Sequence, residues 1–111
     1  MSTKPPECWA IDPQASGLRV AVSPTKTLLL PFNQFLFAEL TAEDKEQRLE
    51  LNFATHQVLI HGQNLRRIEI AMQRMELSLI TKVSTNYQPV VNSGQPLVLK
   101  IGLTEISPSK R

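Results

Sequence analysis

The sequence predicts an α+β domain: a mostly antiparallel sheet of about five to seven strands, with one amphipathic helix (about residues 64–75) packed on one face. Three observations carry that expectation. Short segments of period two recur along the chain, one stretch has helical periodicity, and the order runs strands, helix, strands. With 111 residues, 41% hydrophobic and 20% charged, the chain can bury one core without disulfides or metals.

Residues 1–16 read as a leading arm, because Pro5, Pro6 and Pro13 limit regular structure there. Cys8, Trp9 and Ile11 are its expected ties to the domain, with Trp9 packing on the core in preference to serving as an exposed contact anchor. The domain proper spans 17–106. Leu18, Val20 and Val22 alternate with Arg19, Ala21 and Ser23 in a half-buried strand, and Ser23-Pro24-Thr25-Lys26 is turn chemistry. A second strand runs from Thr27 to Leu30. Residues 34–40 are apolar on both faces, which predicts a central strand covered on both sides, with room for a helical turn around Asn33 before it.

Thr41 to Glu46 reads as an exposed hairpin loop. Leu49, Leu51 and Phe53 then alternate with Arg48, Glu50 and Asn52, and Val58 and Ile60 mark the return strand that Gly62 ends. Asn64 is the expected N-cap of the helix. Leu65, Ile68, Met72 and Met75 follow at spacings of three, four and three, one apolar stripe, while Arg66, Arg67, Glu69, Gln73 and Arg74 fall toward solvent. Strand character resumes at 77–83. Strand 57–61, the helix and strand 77–83 fit a single right-handed crossover, which would make the sheet mixed. Residues 84–96 are irregular, and their length is near the ~12–15 residues above which structureless loops are uncommon. In the last strand, Leu97, Leu99, Ile101 and Leu103 face one way and Val98, Lys100, Gly102 and Thr104 the other. Residues 107–111 form a polar tail.

No chemistry assembles along the chain. His56 and His61 are an odd number of residues apart, so a strand would place them on opposite faces, and no third metal ligand stands at a signature spacing. Cys8 is the single cysteine and reads as a structural thiol in a reducing compartment. The serines lie in turns, outside any Gly-x-Ser-x-Gly elbow. Glu43, Asp44 and Glu46 share an exposed loop with Lys45, which supplies neither the burial nor the close like charge that tunes a catalytic acid. The four glycines are scattered, with no phosphate-cradling motif. No residue stands out as catalytic, no cofactor or metal is expected, and a non-enzymatic role is favoured.

A net charge of +2 is too mild to advertise nucleic acid or an anionic membrane. The start lacks a secretory apolar stretch, no run approaches the ~20 residues of a membrane span, and the chain is therefore expected in the cytoplasm. One short helix is little cover for so much apolar strand. That shortage predicts a protein-interaction module that self-associates, as a dimer or higher, through a sheet edge or an uncovered apolar face. Ile70, off the helix stripe, together with Tyr87, Leu97 and Leu99 are its candidate contacts, and strand 97–105 could exchange between copies on the arm 84–96. The alternative is weak nucleic-acid binding through Arg66, Arg67, Arg74 and Lys82, diluted by Glu69 and Glu76 and lacking nearby stacking aromatics.

Overall fold

The computed structural model describes residues 8–43, 46–82 and 96–106. Their strands form two four-stranded sheets whose inner faces share one core. The first sheet holds β1 (Trp9–Ile11), β7 (Leu77–Thr81), β2 (Gly17–Ser23) and β3 (Lys26–Pro31), in that order. The second holds β4 (Phe35–Ala42), β5 (Gln47–Phe53), β6 (His56–Gln63) and β8 (Leu97–Glu105). A 3-10 turn, Phe32–Gln34, leads from the first sheet into the second, and α1 (Arg66–Gln73) leads back.

The α+β content and the mainly antiparallel pairing agree with the sequence expectation. Among the described residues eight strands stand where five to seven were expected, and they form two sheets instead of one. The inner residues cover each other: Leu18 and Val20 of β2 and Ile80 of β7 on one side, Leu49, Leu51 and Phe53 of β5 with Val58 and Ile60 of β6 on the other, all fully buried. Sheet on sheet supplies the lid that one helix could not. The inferred shortage of cover therefore does not hold for these faces.

The expected crossover also fails. β6 lies in the second sheet and β7 in the first, so α1 carries the chain between sheets. The parallel pair that makes the first sheet mixed is β2 with β7, matched as Arg19 with Leu79 and Val20 with Ile80. Part of the leading arm is also strand: β1 pairs antiparallel with β7, and Trp9 packs half-buried against the core.

Asn64 does not cap α1. It adopts a left-handed backbone (φ 56°), a conformation asparagine tolerates, and the cap position is Leu65. The Leu65 N–H instead donates to Gln47 Oε1 of β5 at 2.7 Å, so a strand side chain satisfies a helix-terminal donor. Leu65, Ile68, Ala71 and Met72 are buried, whereas Met75, expected on the stripe, is 40% exposed. Met75 is left-handed too (φ 57°), and the Glu76 N–H donates to the Ala71 carbonyl, a Schellman ending that turns the chain into β7.

Two register slips place residues against the simple alternation. In β4, Phe35 pairs with Phe53 and Phe37 with Asn52, leaving Leu36 as a bulged residue. In β8, Lys100 pairs with His61 and Val98 with Gly62, so Leu99 has no opposite number and Val98 enters the core. No helix among the described residues is long and apolar enough to cross a membrane.

Candidate interaction surfaces

The residues singled out in the sequence do not converge. Arg66 and Arg67 are exposed in the first turn of α1, and Arg74 is exposed at its C-cap. Lys82 follows the far end of β7, so strand rise puts it about 16 Å beyond Leu77. Ile70 is 40% exposed on α1. Leu97 is a core residue, 4% exposed, and Leu99 packs half-buried against the core, so neither projects as a contact. Tyr87 and the arm 84–95 lie outside the described residues.

The histidines stand apart as their spacing implies. His56 bonds Thr55 Oγ1 at 2.8 Å beside the β5–β6 turn. His61 lies on the outer face of the second sheet, between Arg48 and Lys100, with Glu46 3.9 Å away. Among the described residues no group of three or more His, Cys, Asp or Glu side chains could hold a metal ion. Cys8 is buried, and its thiol donates to the Pro96 carbonyl at 3.4 Å, joining the first strand to the approach to β8.

The outer face of the second sheet is largely polar and self-satisfied. Gln57 Nε2 donates to Glu50 Oε2 at 2.8 Å and to Asn52 Oδ1 at 3.1 Å, and Asn52 Nδ2 also donates to Glu50 Oε2. This network lets Asn52 be buried without an orphaned polar atom. Beside it, Arg48 and Glu43 form an exposed ion pair at 3.9 Å. Such an exposed pair adds little stability.

The exposed apolar residues are the features that sequence reasoning missed. β4 was expected to be central, yet it ends the second sheet and is a free edge among the described residues. Leu36 and Phe37 stand on it 63% and 54% exposed. The bulge explains the misreading: an extra residue makes one strand look apolar on two faces. The two adjacent large apolar residues, Leu36-Phe37, were the available signal. Glu39, two residues further along the same outer face, is exposed and lies opposite Glu50. It forms no ion pair among the described residues.

A second surface lies on the outside of the first sheet. Arg19 stands in a row with Leu29 of β3 on one side and Leu79 and Ala10 on the other. Gly17 and Ala21 flank it along β2. Leu29 is 62% exposed. Ala10, Gly17, Arg19, Leu29 and Leu79 help to line a shallow depression of about 450 Å³. A smaller cleft, about 270 Å³, separates β4 from α1 between Phe35, Ala38, Glu69 and Gln73. Asp12, Ser16 and Ser78 also line the larger depression. No protein-family description, curated protein or solved structure gave a significant match to this chain.

Proposed function

We propose that this chain is a non-enzymatic protein-interaction module that self-associates through the open edge of its second sheet. The observation that carries the reading is Leu36 and Phe37, adjacent, both more than half exposed, on an edge strand of eight residues. Edge strands usually carry charge, proline or a cover that blunts pairing. Here a bulge and Glu39 limit simple strand addition, so side-chain docking of the apolar pair is the favoured mode of contact. Isolated exposed leucines are ordinary, but two large neighbours on an open edge form a contact-sized feature.

Molar mass measured by light scattering across a concentration series tests the reading. The wild-type chain gains mass with concentration, and Leu36→Lys with Phe37→Lys holds it at one chain while leaving the circular dichroism spectrum unchanged. A wild-type mass fixed at one chain up to high micromolar concentration would end it.

A further inference from the structure

We infer that the partner surface for the β4 edge is the Arg19 depression on a second copy of this chain, a head-to-tail contact. The inference rests on the self-association proposed above and names the two surfaces that meet. Each carries half of a complementary pattern. Arg19 is paired across the sheet with Leu29 and Leu79, Gly17 and Ala21 precede and follow it on the same face of β2, Ser16 and Ser78 also line the depression, and the guanidinium forms no ion pair among the described residues. Asp12 lines the rim of the depression, but its Oδ1 accepts from the Gln14 N–H at 3.0 Å within its own turn.

The β4 edge shows the converse. Glu39 is directly opposite Glu50, a like-charge placement that an outside cation would relieve. Glu50 Oε2 already accepts from the Asn52 and Gln57 amides, whereas Glu39 forms no side-chain bond among the described residues. Phe37 and Leu36 stand beside it. One surface therefore holds a cation without an ion-pair partner between two leucines, the other an anion without one beside a phenylalanine and a leucine. Docked, the Glu39 carboxylate meets the Arg19 guanidinium, whose planar fork accepts a carboxylate through two parallel N–H donors. Phe37 and Leu36 meet Leu29 and Leu79, and that apolar rim keeps water from the ion pair, which is the condition under which such a pair gains strength.

The depression is open and spans the four strands of the first sheet, whereas small-ligand sites enclose most of their ligand. Its shape suits a protein surface. The two patches lie on different sheets, so both remain available in one molecule. Such a contact is heterologous: each copy offers a free edge and a free depression after docking, and association continues as a chain unless a ring closes.

The test uses charge reversal at two exposed positions. Arg19→Glu and Glu39→Arg are made singly and together, and circular dichroism and thermal melting verify that each variant folds as the wild type does. Each single variant weakens self-association at least about tenfold, because an attraction becomes a like-charge repulsion. An equimolar mixture of the two single variants assembles again with the two alternating along the chain, since at every contact between unlike variants the facing charges, native or exchanged, are opposite in sign. The double variant, with the charges exchanged, associates again. Single variants that assemble like the wild type, a mixture that stays monomeric, or a double variant that does not recover would each overturn the docking while self-association of the wild type stands. A wild type that never associates removes both.

Discussion

Gly62 on β6 faces the backbone of Leu97 on β8 so closely that a Cβ built on the glycine would collide with the Leu97 carbonyl oxygen. This contact lies beside the register slip in β8, where Leu99 has no partner and Val98 turns into the core. Two strands approach here at a distance that only a residue without a side chain permits.

Gly62→Ala is therefore expected to cost about 3 kcal/mol or more, because the obstructing atom belongs to backbone and cannot rotate away. Gly102 is the control. It lies on the same strand pair, but its nearest neighbour to an added Cβ is Leu59 Cβ at 3.8 Å, ordinary contact. Gly102→Ala should change stability by no more than about 0.5 kcal/mol. Urea unfolding of both variants separates the cases, and equal costs would remove the argument from close approach.

Met75 invites the opposite kind of change. It holds a left-handed backbone at the end of α1 with its side chain 40% exposed, so little packing is lost when it is removed. Met75→Gly should raise stability by about 0.5–1 kcal/mol, since glycine adopts this conformation without steric cost. Met75→Ala keeps the strain and should give no gain. Thermal melting would decide, and a destabilised glycine variant would show that the methionine side chain outweighs the backbone.

Gln47 provides the third case. Its Oε1 accepts the Leu65 N–H at the start of α1. Gln47→Ala should cost about 1 kcal/mol by leaving a part-buried donor without its acceptor. Gln47→Glu retains the acceptor and adds a negative charge near a helix N-terminus, so it should match or slightly exceed the wild type in stability. Chemical denaturation with helix-sensitive dichroism reads both, and a glutamate variant as damaged as the alanine variant would refute the capping role.

Local patterns were legible wherever one face was buried. The alternations in β2 and β5 and the Leu65-Ile68-Met72 stripe correspond to buried residues because side-chain direction follows directly from backbone period. The opposite placement of His56 and His61 was readable for the same reason. The misreadings share a different cause. Leu36 in β4 and Leu99 in β8 are extra residues in their ladders, and a bulge reverses face assignment without changing composition. Asn64 has the chemistry of a cap, yet Gln47 from a strand seventeen positions earlier fills that role.

The identity of most of the described strands and the place of α1 follow from residue order, since these depend on neighbours a few positions away. The division into two facing sheets, the edge position of β4 and the placement of Arg19 between two leucines arise from pairings between distant segments. A residue's exposure depends on which strand comes to lie beside it. Periodicity reports which way a side chain points, but only the packed chain establishes what it meets there.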